Sequence, residues 1–119
     1  MREVTLQVES NANAPAVSRS HISSMRSSLG PRCDDVLLLV SELVSNSVRH
    51  AKSCDIDVRV RAMDGKIRIE VSDDGPGFAP DAPRGDGLGL SIVEKLSDSW
   101  GMEPGDRFTV WAELHRNDV

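Results

Sequence analysis

Apolar and polar residues alternate along three stretches of the chain, as expected for strands that bury one face. Asp64 and Gly65 separate the second stretch from the third and give the signal of a hairpin turn. Two further short strands flank a turn at Pro104 and Gly105. The predicted strands span residues 4–8, 55–62, 66–73, 99–102 and 107–115.

Three other segments are predicted to be helical. The segment 33–51 carries apolar residues at helical spacing and contains no Gly or Pro, which predicts a long, largely buried central helix. A polar, Ser-rich helix is predicted over 15–29, ending at the stop signal of Gly30 and Pro31. A third helix is predicted over 90–97.

The order of these elements, βααββαββ, predicts an α+β fold. We expect a two-layer α/β sandwich, in which helices cover one face of a mostly antiparallel, mixed sheet. The chain of 119 residues, with 39% hydrophobic content, fits one domain over residues 1–119.

Composition narrows the classes of function. The net charge is -5, Lys and Arg are scattered among acids, and only 3% of the residues are aromatic, all of which argues against a nucleic-acid-binding face. No apolar run approaches the roughly 20 residues of a membrane span, and the N-terminus lacks the apolar core of a signal peptide. We therefore expect a cytoplasmic protein without a membrane partner. Cys33 and Cys54 have no metal-binding spacing and are expected to be free thiols.

The strand Lys66–Asp73 places an acid on its apolar face. Ile67, Ile69 and Val71 point to one side, so Asp73 points to that side as well. A carboxylate directed at a core is costly unless hydrogen bonds are donated to it. The following turn brings glycine backbone close by, so the exocyclic amine of adenine is the expected donor.

Glu42, Asn46 and His50 are spaced four residues apart on the long helix and share one face. Alone, this pattern is more typical of a solvated stripe, with His50 complementing the negative helix end. Together with Asp73 it favours a metal–nucleotide site, since an amide oxygen suits Mg²⁺ and Glu42 could accept a proton from an attacking hydroxyl.

A second glycine cluster leads into the helix at Leu90. Gly85, Gly87 and Gly89 would expose backbone amides and the positive end of that helix to phosphate oxygens. Neither the dinucleotide GxGxxG pattern nor GxxxxGK[ST] is present. Each glycine cluster alone would also suit an ordinary turn, so the prediction depends on their order and context.

These motifs resemble the GHKL superfamily of gyrase, heat-shock chaperone, histidine kinase and mismatch-repair ATPases. Its three boxes are similar to ELVSNSVRH (42–50), DDGPG (73–77) and GDGLGL (85–90). The chain is most similar to stand-alone bacterial anti-sigma factor serine kinases. The resemblance implies the Bergerat ATP-binding fold, with ATP and Mg²⁺ as cofactors, a sigma factor and an anti-sigma antagonist protein as partners, and a homodimer.

The resemblance also implies roles for individual residues. Glu42 would be the catalytic base, Asn46 the Mg²⁺ ligand, and Asp73 the contact to the adenine amine. The implied nucleotide-binding residues are Asn46, Asp73, Gly75, Gly77, Arg84, Gly85, Gly87, Leu88 and Gly89. Arg84 could equally be a solvated loop residue.

Three functions stay open at this point. The first is a kinase that phosphorylates a serine of the antagonist and sequesters a sigma factor. The second is a nucleotide-binding, partner-switching module without catalysis, which the short segment 78–84 favours because so short a lid excludes water poorly. The third is a detached histidine kinase catalytic domain, for which His21 lacks an acidic neighbour. Trp100 and Trp111 are expected to pack, or else to form a partner surface.

Overall fold

Five strands and four α-helices make up the part of the chain that the computed structural model describes, residues 2–50, 55–75 and 90–116. The strands are β1 (Arg2–Glu9), β2 (Asp55–Met63), β3 (Lys66–Asp73), β4 (Ser99–Glu103) and β5 (Phe108–His115). The helices are α1 (Ala14–Ile22), α2 (Arg26–Leu29), α3 (Cys33–His50) and α4 (Leu90–Leu96).

The strands form one sheet in the order β1-β2-β3-β5-β4. The predicted hairpin between β2 and β3 is present, and Gly65 adopts a φ of 70° in its turn. Every described pairing is antiparallel, including those of β5 with β3 and with β4. The predicted α+β class is therefore confirmed, whereas the expected mixture of strand directions does not occur among the described pairs.

The helical layer begins with a broken helix. The predicted helix over 15–29 is interrupted by a 3-10 turn at Ser23–Met25, between α1 and α2. Ser23 Oγ donates to the carbonyl of Ser20 at 2.8 Å, and Ser24 Oγ donates to that of His21 at 2.7 Å. Serine hydroxyls that bond to preceding carbonyls compete with regular helix geometry, which accounts for the break.

The core lies between the helices and the inner face of the sheet. α3 packs against β3 and also against α1 and α4, so it is the central helix that its sequence predicts. Alternate residues of β2 and β3 are buried, in agreement with their alternating sequences. The largest fully buried side chains are Ile22, Met25, Leu29, Leu39, Leu43, Ile56, Ile67, Ile69, Leu90, Leu114 and Val36.

Ion pairs cover the outer face of the sheet. Arg68 donates to Glu70 at 2.8 Å, to Glu113 at 2.7 Å and to Glu103 at 3.2 Å. Its guanidinium also lies 4.6 Å from the ring centroid of Trp111. The two faces of the sheet therefore differ in chemistry: the inner face is apolar, and the outer face is charged.

Two further predictions concern the cysteines and membrane-spanning helices. Cys33 is a buried, free thiol as predicted, and Cys54 lies outside the described residues. Among the described helices, none combines the length and apolar character that crossing a membrane requires.

Candidate functional site

Asp73 ends β3 on the inner side of the sheet, as its position in the alternating strand predicts. Its side chain is buried, with 3% of the residue exposed. Oδ1 accepts a hydrogen bond from the backbone N–H of Gly75 at 2.7 Å. One contact of this kind occupies only part of the capacity of a carboxylate, which has about four lone-pair positions.

At Asp73, β3 is no longer paired with β2 but is still paired with β5. The ladder between β2 and β3 ends with the pair of Asp57 and Ser72, whereas on the other side Asp73 still pairs with Phe108 of β5. The chain therefore begins to separate from β2 at the residue whose carboxylate faces the interior.

Asn46 is the second buried polar group of the site. It lies on α3 with 2% of its surface exposed, and neither Oδ1 nor Nδ2 has a hydrogen-bond partner among the described residues. An unsatisfied buried amide costs about 1–3 kcal/mol, so native structures usually supply a partner such as a bound group or water. Because α3 packs against β3, the elements that carry Asn46 and Asp73 are neighbours.

The chemistry of Asn46 fits Mg²⁺. Its amide oxygen is a hard ligand, and Mg²⁺ in nucleotide sites is held by one or two protein oxygens together with phosphates and water. In the part of the chain that the structure describes, no group of three or more His, Cys, Asp or Glu residues could form a cage for a metal. A single amide oxygen suits a metal that takes its other ligands from phosphates and water.

Glu42 lies one helical turn before Asn46 and is only half-buried. Ser47, next to Asn46, is buried as well. Residues four apart on a helix share one face, so Glu42 occupies the more accessible end of the row that Asn46 continues inward. The helix includes His50, but its side chain is outside the described part.

Of the other predicted nucleotide-binding residues, one lies in the described part of the chain. Gly75 is described, and it donates to Asp73. Gly77, Arg84, Gly85, Gly87, Leu88 and Gly89 lie outside the described residues. Leu90, which follows them, begins α4 and is buried, with 1% exposed. The phosphate cradle therefore stays a prediction.

Two arginines whose contacts the sequence did not indicate lie at opposite ends of the sheet, Arg107 at the end that carries Asp73 and Arg32 at the other. Arg32 donates to the carbonyls of His115 at 2.9 Å and Leu96 at 3.0 Å, which ties the last residue of α4 to the end of β5. Arg107 donates to the carbonyls of Asp55 at 3.1 Å and Ser72 at 3.3 Å. All four acceptors are distant in sequence, so no local motif could have identified these contacts.

A cleft at the other end of the molecule is separate from this site. It has a volume of about 380 Å³, and Arg2, Ser27, Asp64 and Arg116 are among its lining residues. Asp64 lies in the turn that precedes β3, whereas Asp73 is the last residue of that strand. The cleft therefore says nothing about a ligand at Asp73.

Curated relatives cover most of this chain. The Serine-protein kinase RsbW of Listeria innocua is 26% identical over 81% of this chain and 76% of its own length. The Anti-sigma F factor of Clostridium botulinum is 28% identical over 81% of this chain and 80% of its own. The Sensor protein kinase CarS of Pseudomonas aeruginosa is 29% identical over 57% of this chain, which spans only 18% of CarS.

Solved structures share the fold. The RsbU and RsbW domains of a Mycobacterium tuberculosis protein match with a TM-score of 0.71 and 21% identity, covering 96% of this chain and 32% of that one. The Acinetobacter baumannii histidine kinase AdeS matches with a TM-score of 0.61 and 14% identity, covering 99% of this chain and 70% of that one.

The family model for the histidine kinase-, DNA gyrase B- and HSP90-like ATPases matches residues 33–117. This range begins with α3 and includes both Asn46 and Asp73, and it covers more than half of the chain. The resemblance that the three motifs indicated is confirmed, and the chain belongs to the family of histidine kinase-, DNA gyrase B- and HSP90-like ATPases.

Proposed function

We propose that this protein binds Mg-ATP between α3 and the end of β3 and acts as an anti-sigma factor serine-protein kinase. The observation that carries the proposal is the buried Asn46 amide, which has no partner among the described residues. A ligand at this position would remove the cost of leaving the amide unsatisfied.

Asp73 would recognise the base. A buried carboxylate can accept a hydrogen bond from the exocyclic amine of adenine, and guanine presents an oxygen acceptor at the same position. A site built around an acceptor therefore disfavours guanine, because two acceptors would face each other. The Gly75 N–H bond to Oδ1 would help to hold the carboxylate in place.

Phosphoryl transfer would take place near Glu42. The Mg-nucleotide supplies the transferable group and the metal charge that offsets the phosphates. Asn46 would hold the metal, and Glu42 would accept the proton of the attacking serine hydroxyl. The serine oxygen forms a bond to the γ-phosphorus while the bond to the bridging oxygen breaks, so the products are phosphoserine and ADP.

The partners are inferred by similarity. One relative is named a serine-protein kinase and another an anti-sigma F factor, and each aligns with 81% of this chain. We extend both descriptions to this protein: a small antagonist protein would be phosphorylated, a sigma factor would be bound, and the active form would be a cytoplasmic homodimer.

A second candidate is a nucleotide-gated binding module without catalysis. It is favoured by the short segment 78–84, which would close poorly over the phosphates.

A detached histidine kinase catalytic domain has less support. His21 is exposed on α1, and α1 packs against α3 in the helical layer. α1 is therefore part of this domain and does not form a separate phosphoacceptor helix.

Calorimetry with Mg-ATP and Mg-ADP tests the binding step. We expect the native protein to bind more tightly than about 1 mM, which corresponds to about -4 kcal/mol. Asp73→Ala should weaken binding at least about tenfold, since it removes the base contact. Glu103→Ala, at an exposed acid on the outer face, is the control and should bind as the native protein does.

Labelled ATP and the cognate antagonist test the transfer step. Glu42→Ala should abolish phosphorylation and leave both ATP affinity and partner binding intact. If the native protein binds ATP and partner but transfers no phosphate, the kinase proposal is wrong and the binding module takes its place.

A further inference from the structure

Arg107 crosses the end of the sheet at which Asp73 lies. It directly precedes β5, and its side chain extends past β3 to the first residues of β2. One guanidinium nitrogen, Nη2, donates to the carbonyls of Asp55 and Ser72, at 3.1 and 3.3 Å. Another nitrogen, Nε, lies 3.1 Å from Oδ2 of Asp57 in an ion pair.

These contacts occur where the ladder between β2 and β3 ends. The last pair of that ladder is Asp57 with Ser72, so β3 continues to Asp73 without a described partner on β2. Arg107 joins the two strands at that point, because one of its acceptors belongs to each strand. A second contact fixes the same residue from β5, since the hydroxyls of Ser72 and Thr109 lie 2.7 Å apart.

Arg107 is on the wrong side of the sheet to contact a nucleotide itself. Its ion-pair partner Asp57 belongs to the outer face, as does the side chain of Ser72, whereas Asp73 points inward. Any influence of Arg107 on a ligand at Asp73 must therefore pass through the backbone between Ser72 and Asp73.

We propose that Arg107 is a positioning residue for adenine recognition, which it supports by holding the end of β3 so that the Asp73 carboxylate faces the base. This inference rests on the proposed function. Recognition of an exocyclic amine by one carboxylate requires placement to within about 0.5 Å, and such precision depends on residues that support the contacting group. On the β2 side the end of β3 has left its ladder and lacks the usual support, and Arg107 supplies it there.

The test compares two nucleotides and two substitutions. Arg107→Ala should raise the Kd for Mg-ATP about tenfold, as expected when a small displacement weakens a directional contact. The Kd for Mg-GTP, which cannot make the amine contact, should change less than about twofold. The preference for ATP over GTP therefore falls about five- to tenfold, a result that general destabilisation would not give.

Arg107→Lys separates positioning from charge. Lysine keeps an ion pair with Asp57, but its single nitrogen cannot lie both beside that carboxylate, where Nε lies, and between the two carbonyls, where Nη2 lies. We expect it to lose most of the nucleotide preference. If Arg107→Ala does not fold, the same ratio measured on Arg107→Lys decides the matter.

Arg61→Ala is the matched control. Arg61 lies on the same face and pairs with Glu3 and Glu70, away from the strand end. Arg61→Ala should leave the Kd values for Mg-ATP and Mg-GTP unchanged. The inference is overturned if Arg107→Ala binds ATP as the native protein does, or if ATP and GTP weaken by the same factor. A native protein that binds no Mg-ATP would instead overturn the proposed function, and this inference with it.

Discussion

The indole of Trp111 lies directly against the backbone of Gly101. The two residues are register partners on β5 and β4, and a Cβ at position 101 would lie 2.8 Å from Cζ2 of Trp111 and 2.9 Å from its Nε1. Such distances are too short for carbon contacts, so the position accommodates only glycine without movement of the ring. Arg68 also contacts this indole, at 4.6 Å from the ring centroid.

Gly101→Ala should therefore lower the free energy of unfolding by about 1–3 kcal/mol, the usual cost of overpacking. Urea denaturation measures this change. Gly105→Ala is the control, because the nearest atom to a Cβ there is the Arg107 carbonyl at 3.6 Å, an ordinary contact. Equal stability of the two variants would contradict a close approach of Trp111 to Gly101.

The acid stability of the protein should depend on the ion pairs around Arg68. Its hydrogen bond to Glu113 lowers the pKa of that carboxyl below the ordinary 4.5. Burial alone would raise the pKa of Glu70, but the Arg68 hydrogen bond and the charges of Arg61 and Arg59 outweigh it and lower the pKa. Both carboxylates thus bind protons less readily in the folded state than in the unfolded state.

A lowered pKa contributes stability that is present above the unfolded value, near 4.5, and is lost as the pH falls through the folded value. Thermal unfolding between neutral pH and pH 3 should show this loss, and Glu113→Gln should make it shallower. Glu103→Gln, at an acid that contacts the same arginine but is more exposed, should change the profile much less, since solvent screens it. A native profile that is flat down to pH 3 would contradict the prediction.

Asn46 should determine how Mg²⁺ affects nucleotide affinity. In the native protein we expect the metal to strengthen ATP binding, because it links the phosphates to the amide oxygen. Asn46→Ala should lower the ratio of the ATP affinities with and without Mg²⁺ about tenfold. This is the lower end of the loss in metal affinity that follows when a metal site is disturbed. Calorimetry with and without Mg²⁺ gives the ratio.

Ser47→Ala, at the adjacent buried residue, is the control for Asn46 and should keep the native metal dependence. If Asn46→Ala keeps it too, the amide does not hold the metal, and its burial needs another explanation.

Replacing Ser18 should stabilise the protein. Its hydroxyl is buried in α1 and has no hydrogen-bond partner among the described residues. Ser18→Ala should therefore raise the free energy of unfolding by about 1 kcal/mol, because an unsatisfied polar group is removed. Ser72→Ala should lower it by about the same amount, since it breaks the contact with Thr109. Chemical denaturation of both variants decides this, and a destabilised Ser18→Ala would show that the hydroxyl has a partner after all.

Strict alternation allowed β3 to be predicted with its observed limits, Lys66–Asp73, and with the inward direction of Asp73. The length of the apolar pattern similarly indicated α3. The break after Ile22 was not predicted, because it depends on hydroxyl-to-carbonyl bonds that compete with an otherwise helical sequence.

The contacts of Arg32 and Arg107 could not be predicted for another reason. Their acceptors are carbonyls, which every residue has, so only the folded arrangement reveals which ones are near. Both tryptophans pack, as expected, but on different faces of the sheet: Trp100 packs against the core, whereas Trp111 packs on the charged face.

The placement of these two indoles has a practical consequence. The protein has two Trp and no Tyr, and the register pairs Trp100 with buried Ala112 but Trp111 with Gly101, so the two rings lie on opposite faces of one sheet. In a variant that keeps only one of the two tryptophans, the fluorescence emission would report on a single face of the sheet. Trp100 would follow loosening of the apolar interior, and Trp111 would follow dissolution of the arginine–glutamate network, so one spectroscopic method could time the two events separately.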